Sequence, residues 1–394
     1  ENKAPKITIT KMKAIHIITG LNDGGAEAVL YRLCSEDKSN IHTVISLTED
    51  GKYGPLLQEK GIQVYQLNMP RGRVALSSIL KLYQLIRNLK PDVVQTWMYH
   101  ADLIGGLVAR LAGANKIYWG IHASSLEIGK SSWRTIVVAH INALLSRWVP
   151  TGIVCCAERA QQTHQQLGFA VDQFTVIPNG YNLHYFKPDS EGRKQLRAEL
   201  EINEQTLLLG CVGRFDPQKD HQNLLAALAI IKQNGVSFRC ILVGRGLNTD
   251  NAQLVSWVNR YDLQDEVLLL GQRTDIPAVM NALDLHILSS SYGEAFPNVV
   301  AEAMACGTPC VATDVGDAAY IIGHTGWIAP PSDASLLANA IHSALVSYGN
   351  HDEWQSRRVA ARNRVVETFS LEKMIAAYHS VWGNDIRPRP DLAR

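Results

Sequence analysis

Short apolar runs of strand character alternate with runs of helical spacing from Met12 almost to the carboxyl terminus, and this alternation limits the fold more than any other feature. The first half reads "KAIHIIT", "AEAVLYRLC", "HTVISLT", "QVYQL", "SILKLYQLIRNLK", "VVQTW", "ADLIGGLVARLAG", "KIYWGIH", "TIVVAHINALLS", "GIVCCA" and "FTVIPNG". β-branched runs separated by amphipathic stretches predict parallel strands with crossover helices on both faces. A polar stretch, "IPNGYNLHYFKPDSEGRKQLRAEL", interrupts the pattern. It restarts with "TLLLGCVG", "NLLAALAIIKQNG", "FRCILVG", "AQLVSWVNRYDL", "EVLLLG", "IPAVMNALD" and "LHILSS". The expected architecture is α/β: two doubly wound, Rossmann-like domains, residues 12–190 and 191–365, facing each other across a cleft. A helix in 366–385 is expected to pack back toward the first domain, with 386–394 a flexible tail. Residues 1–11 read as an added or disordered extension ahead of a natural start at Met12.

Composition excludes several classes. A chain of 394 residues that is 46% hydrophobic and 19% charged builds real cores and is not disordered. Its 38 Lys and Arg against 37 Asp and Glu leave a net charge of +1, so no global field favours nucleic acid. The charge is divided unevenly: residues before about 180 carry roughly six more basic than acidic side chains, and the remainder roughly five more acidic ones. A basic first half suits an anionic surface or substrate, or simply a solvated face. No apolar run approaches the ~20 residues of a membrane-spanning helix. Seven cysteines, mostly within apolar runs, read as reduced buried thiols of a cytoplasmic chain. Cys306 and Cys310 lack the companions that a metal site needs, so no metal and no cofactor is expected.

In doubly wound sheets ligands lie beyond the carboxyl ends of the strands, which directs attention to four loops. "TGLNDGGAEAVL" places Gly24 and Gly25 between a strand and a helix start, where backbone N–H groups can meet an anion. Its spacing is not that of the G-x-G-x-x-G dinucleotide turn, which disfavours a nicotinamide enzyme. "GCVGRFDPQKDH" sets Arg214 and Lys219 around an Asp-Pro turn, a guanidinium fork and an ammonium suited to a diphosphate. A solvated charged loop is the plainer reading of that stretch alone. "SSSYGEAFPNVVAEAMACGTP" predicts a helix with Pro297 in its first position and an end at Gly307. Its amides near Ala295, Phe296 and Asn298 suit phosphate, with Glu294 ahead of them and Glu302 five residues into the helix. The small Ala301, Ala303 and Ala305 are read as keeping the surface around Glu302 low. His100 and His122 each follow a strand of the first half, and each has a structural as well as a functional reading.

Taken together, "GEAFPNVVAEAMACGTPCVATDVGD", "GRFDPQKDH", "LVGRG", "IPNGYN" and "NDGGAE" resemble, in order and spacing, the family-four retaining glycosyltransferases of GT-B fold. The likeness is strongest to enzymes of bacterial O-antigen, capsule and other surface polysaccharides. It implies that Arg214 and Lys219 bind a diphosphate and that Glu302 holds the ribose. It further implies that Glu294 contacts the donor sugar, with the backbone of Ala295, Phe296 and Asn298 against sugar and phosphates. Gly24 and Gly25 would approach the phosphate, His122 the reacting sugar, and Arg273 in "GQRTD" the base. His122, Glu294, Arg214 and Lys219 form the implied catalytic group. Ala295 stands where many members have glycine, which bears on the sugar accepted. The implied reaction moves a hexose or N-acetylhexosamine from a UDP-sugar to a polyprenyl-diphosphate-linked acceptor, with retention and without a metal. That acceptor implies a cytoplasmic enzyme peripheral to the inner membrane face. Residues 71–90, with Arg71, Arg73, Lys81, Arg87 and Lys90 and no acid among Leu and Ile, suit an anionic bilayer; His100 is assigned to the same acceptor side. The rivals are a catalytically silent nucleotide-sugar-binding protein and an epimerase of related fold.

Overall fold

The computed structural model describes residues 11–70, 74–122 and 132–383. They form two compact units, one of residues 11–122, 132–177 and 374–383, the other of residues 178–373.

The first unit opens with β1 (Lys13–Ile18), α1 (Gly25–Glu36), β2 (Ile41–Ser46), α2 (Tyr53–Glu59) and β3 (Gln63–Gln66). It continues through α3 (Leu76–Leu89), β4 (Val93–Trp97), α4 (Tyr99–Leu111) and β5 (Ile117–Ile121). After α5 (Trp133–Leu145) come β6 (Gly152–Cys155), α6 (Glu158–Gln166) and β7 (Phe174–Val176). Its seven strands lie in the order β3-β2-β1-β4-β5-β6-β7. Every pairing is parallel, and the helices that join parallel strands cover the sheet and bury its central strands. β4 and β5 are buried along their whole length. Ile15, Ile17, Val94 and Trp119 meet Leu82 and Ile86 of α3 and Val108 of α4 in one core.

The second unit runs α7 (Ser190–Glu199), β8 (Leu208–Val212), α8 (His221–Gln233), β9 (Arg239–Val243), α9 (Ala252–Arg260) and β10 (Val267–Gly271). Next come α10 (Ile276–Ala282), β11 (Leu285–Leu288), α11 (Asn298–Ala305), β12 (Cys310–Thr313), α12 (Ala318–Ile322) and β13 (Trp327–Ala329). Helices α13 (Ala334–Tyr348), α14 (His351–Thr368) and α15 (Leu371–Gly383) end the described chain. Its sheet has the order β10-β9-β8-β11-β12-β13, again all parallel. Both units are thus doubly wound, and the strand order reverses between β1 and β4 in the first and between β8 and β11 in the second.

The polar stretch that separates the two patterns in the sequence ends in α7. Its charge has a partner: Arg193 and Arg197 bond the two oxygens of the buried Asp284, at 2.9 and 3.1 Å, and Asp284 accepts the Leu208 N–H at 2.8 Å. The helix is bolted to the entry of β8 and β11.

From Met374 onward α15 belongs to the first unit. Trp382 donates its indole N–H to Gln95 at 3.2 Å, and His379 bonds Asp37 at 2.7 Å. Asp37 terminates a buried relay whose direction is set at both ends. The Trp97 indole can only donate, and it reaches His16 Nδ1 at 3.2 Å. His16 therefore carries its proton on Nε2 and gives it to His42 Nδ1 at 2.9 Å; His42 Nε2–H then donates to the Asp37 carboxylate at 3.1 Å. Burial, with His42 beside it, holds His16 well below the usual imidazole range, so His16 is neutral. Burial alone would push the Asp37 carboxyl up, but bonds from His42, His379, Ser39 and Asn40 outweigh it and hold it low. Cys34 lies within ligand distance of His16 and His42. A cation on His16 Nε2 would leave a protonated Nδ1 facing the Trp97 N–H, so the indole works against a metal there.

A second buried carboxyl behaves oppositely. Asp102, in the first turn of α4, accepts from Thr96 Oγ1 at 2.6 Å and the Gly120 N–H at 3.1 Å through Oδ1. Its Oδ2 has no partner among the described residues. Burial pushes this carboxyl up to about 8 in spite of the two bonds that favour its charged form. The folded value lies above the unfolded one, so its contribution to stability is complete below about pH 4 and is lost as the pH rises toward 8. Asp102→Asn removes that loss. Urea denaturation should show the variant gaining on wild type by on the order of 2–4 kcal/mol between pH 5 and pH 8. A difference between the two proteins that stays constant with pH would refute the assignment.

Candidate functional site

The second unit builds its site where β8 and β11 lie side by side, at the reversal of strand order. After β8 the chain makes two consecutive carboxylate-capped turns. Asp216 accepts the Gln218 N–H at 3.0 Å, and Asp220, in a left-handed conformation, caps α8 through the Asn223 N–H at 3.2 Å. Lys219 is held between these caps. The loop after β11 is stitched to it: Ser291 N–H donates to the Gln218 carbonyl at 2.9 Å and Ser289 Oγ to the Lys219 carbonyl at 2.8 Å.

Across this seam the Lys219 ammonium meets Glu294 Oε1 at 2.5 Å, with both side chains largely buried. Ser290 Oγ donates to the same oxygen at 2.6 Å. Two buried histidines stand near Lys219 and stay neutral. Burial, with Lys219 adding to it, lowers His221 to about 4 and His286 to about 3. Gly316 fixes the backbone beside Glu294. Its φ is +57°, and a Cβ there would collide with the carbonyl oxygens of Glu294 and Ala295. Asp317 N–H then donates to the Ala295 carbonyl at 2.8 Å.

The expected site residues are distributed as follows. Lys219 and Glu294 are in direct contact, while Arg214 lies at the rim, its side chain 46% exposed and held by Asp216 at 3.0 Å and Gln218 at 3.2 Å. Phe296 turns its ring inward, edge-on to Phe369 at 5.4 Å, and Ala295 is buried beside it. Helix α11 starts one residue later than expected: Pro297, with ψ 94°, is still extended and precedes the helix, and Asn298 is its first residue. The Asn298 side-chain oxygen accepts from Tyr181 OH at 2.6 Å and Asn179 Nδ2 at 3.0 Å. One turn further, Glu302 is partly buried and close enough to Tyr185 to raise that phenol, after burial itself. The alanines around it do not lower an open surface. Ala301, Ala303 and Ala305 are fully buried and let α11 sit close to its neighbours. Arg273 is clamped bidentately by Asp275, at 2.7 and 2.8 Å, and reaches Glu199 at 2.8 Å. Ser290, Gln218, Gly316, Asn179 and Tyr181 were not singled out from the sequence, although "PNGYN" and "TDVGD" carry three of them.

In the first unit Gly24 caps α1, and the Glu27 carboxylate fills the space that a Cβ at Gly24 would need. Gly25 is the first residue of that helix. His122, at the end of β5, stacks on Trp97 at 4.9 Å and 16°, and its ring nitrogens have no partner among the described residues. Burial lowers it to about 4. His100 follows Met98, which has a strained φ of +71°. Lys81 and Arg87 are exposed on α3; Arg71 and Arg73 lie outside the described residues.

Lys219 and Glu294 are mutually dependent. Removing one charge strands the other in a site that water reaches poorly, which costs about 3 kcal/mol. Lys219→Met and Glu294→Gln are each expected to lower urea stability by about that amount, and the double variant to lose much less than their sum. Additive losses would mean that the contact contributes nothing.

Comparison with known proteins then places the chain. Residues 192–361 match the family model for glycosyl transferases group 1, and residues 23–185 that for glycosyltransferase family 4. The putative glycosyltransferase EpsF of Bacillus subtilis is 26% identical over 314 residues, 77% of this chain and 80% of that protein. A UDP-Gal:alpha-D-GlcNAc-diphosphoundecaprenol alpha-1,3-galactosyltransferase of Escherichia coli is 24% identical over 304 residues, 76% of this chain and 77% of its own. Among solved structures, Anabaena HepE in complex with UDP and glucose superposes with a TM-score of 0.82 over 94% of this chain and 99% of HepE, at 22% identity. With its two wholly parallel α/β units and these matches, the chain belongs to the group 1, family-four glycosyltransferases and has the GT-B fold.

Proposed function

We propose that this glycosyltransferase moves a hexose or N-acetylhexosamine from a UDP-sugar to a hydroxyl of a lipid-linked sugar, retaining the anomeric configuration, in the assembly of a surface polysaccharide. The observation that carries the proposal is the Lys219–Glu294–Ser290 contact at the reversal point between β8 and β11, the crevice where such sheets hold ligands. A buried ammonium beside an exposed guanidinium suits a diphosphate, and a carboxylate beside them suits sugar hydroxyls.

In this reading residues 191–365 hold the donor and residues 12–190 the acceptor. Arg214 and Lys219 neutralise the diphosphate together with the amides at the start of α11, and Glu302 accepts the ribose hydroxyls. Glu294 orients the donor sugar, and the Ala295 methyl limits the room beside it. Arg273 borders the base, its reach governed by the clamp of Asp275 and Glu199. Gly24 and Gly25 offer amides to the phosphate after Glu27 withdraws. His122, neutral and with no partner for either ring nitrogen among the described residues, is available to a sugar hydroxyl. The bond from the anomeric carbon to the phosphate oxygen breaks as the acceptor oxygen attacks from the same face, and the acceptor's proton passes to the departing phosphate. Charge neutralisation by Arg214, Lys219 and helix amides gives the reaction no need of a divalent metal.

HepE was solved with UDP and with UDP-glucose, and the Escherichia coli relative is named for UDP-Gal and a diphosphoundecaprenol acceptor. These names support a UDP-sugar donor and a polyprenyl-diphosphate acceptor here. The acceptor side would include His100, two residues after the strained Met98, and α3, where Leu76 and Leu80 point to solvent beside Lys81 and Arg87. An enzyme using such an acceptor works in the cytoplasm, peripheral to the inner face of an anionic membrane.

The test is thermal unfolding with UDP, GDP and ADP in excess chelator. UDP at a hundredfold excess over its dissociation constant should stabilise wild type by about 2.7 kcal/mol. Lys219→Ala and Glu302→Ala should lose that ligand-dependent shift. No shift with any nucleotide, or a shift that requires a divalent metal, overturns the donor assignment.

A further inference from the structure

Helix α5 reads in the sequence as one more crossover helix, and the structure turns one apolar face of it outward. Trp133, Val137, Ile141 and Leu144, and Trp148 just beyond the helix, recur at steps of four, four, three and four residues and so share one narrow face. All five are exposed, Trp133 and Leu144 by 70 and 72%. Leu107 and Leu111 of α4, which packs beside α5, are exposed as well, Leu111 by 77%. The opposite face, with Ala139, Asn142 and Ala143, is buried and needs nothing more. An apolar strip of this size on a water-facing surface marks an interaction site.

Charge identifies the partner. Arg134 borders the strip on one side, and His140 and Arg147 on the other. Among α3, α4 and α5 the one carboxylate is Asp102, which is buried. Two copies meeting face to face through this strip would set basic side chains against their own images with no acid on these helices to balance them. An anionic lipid surface meets both demands at once. The apolar face enters the acyl boundary, the tryptophans at its two ends take the headgroup level, and the arginines reach lipid phosphates. Among the described residues no helix is long and apolar enough to cross a membrane. We infer that the α4–α5 face, edged by Trp133 and Trp148, is a monotopic membrane-insertion surface for anionic phospholipid. The purpose of this surface rests on the lipid-linked acceptor proposed above, and its existence is tested separately.

The experiment is flotation of the full chain with phosphatidylglycerol-containing vesicles and with phosphatidylcholine vesicles, at low and high salt. Wild type should float with the anionic vesicles, keep a salt-resistant fraction, and blue-shift its tryptophan fluorescence. The triple change Trp133→Ser, Leu144→Ser and Trp148→Ser should weaken partitioning by about tenfold or more and abolish the salt-resistant fraction. Its UDP-dependent thermal shift should equal that of wild type, so failure of the donor reading is scored independently. Leu144→Glu alone, at a position too exposed to matter for folding, gives the same readout if the triple variant unfolds early. Wild type that stays with the pellet, or variants that float as wild type does, overturn the inference. A wild-type dimer that Leu144→Glu dissociates would also overturn it, by making this face a contact between copies.

Discussion

The ion pair between Lys219 and Glu294 is the interaction on which the second unit's chemistry depends. The partners are 75 residues apart in the chain, one after β8 and one after β11, and only a sheet whose order reverses between those strands makes them neighbours. Burying such a pair is costly unless the remaining hydrogen-bonding capacity is met. Here Ser290 shares the carboxylate, the Asp216 and Asp220 turns fix the lysine backbone, and Ser289 and Ser291 tie the two loops together. Gly316 belongs to the same constraint, since any side chain there would dislodge the Glu294 carbonyl. The neutral His221 and His286 leave Lys219 facing Glu294 without competition from a second buried cation on either ring.

The first unit solves a comparable problem without a net charge until its end. Its relay from Trp97 through His16 and His42 to Asp37 admits one set of protonation states, because an indole can only donate and a carboxylate only accept. The same relay orients two other groups. Trp97, held by His16, forms the platform on which His122 stacks, and Asp37 receives His379 from α15. The carboxyl-terminal helix is therefore anchored by the hydrogen-bond chain that also sets the plane beneath a candidate substrate-facing histidine.

The alternation of strand and helix was legible from the sequence because both sheets are parallel and buried on two faces, which leaves continuous apolar runs such as "VVQTW" and "LHILSS". The loops that matter were legible for the same topological reason. What escaped was pairing across distance. Nothing local tells Lys219 that its partner is Glu294, or tells Asn298 that Tyr181 and Asn179 will take its oxygen. Alanines at 301, 303 and 305 look alike whether they clear space for a ligand or bring two helices together, and the structure uses them for packing. Pro297 permits either the first helical position or the one before it, and its ψ decides. Helix α5 misleads in the other direction. Its residues are as apolar as any core helix, and only the placement of its inner face on Ala139, Asn142 and Ala143 shows that the larger side chains are left outside.

The two ends of the basic-to-acidic gradient along the chain now have different physical meanings. In the second half the surplus acid is partly internal structure: Asp284 locks α7 through Arg193 and Arg197, Asp275 and Glu199 clamp Arg273, and Glu294 holds Lys219. Arg214, Lys219 and Arg273 are each already paired with a carboxylate, so a diphosphate entering the proposed site competes with carboxylates in place. The exposed Arg214 can make the first contact at little cost, whereas Lys219 must be shared with or taken from Glu294. A sugar whose hydroxyls occupy the freed Glu294 oxygens offsets that exchange; an inorganic diphosphate does not. Selection for a nucleotide sugar over a bare phosphate compound can thus arise from the resting ion pair itself. In the first half α3, α4 and α5 carry basic side chains and a single acid, the buried Asp102, and an excess of one sign spread over these helices suits an extended anionic surface better than a small ligand.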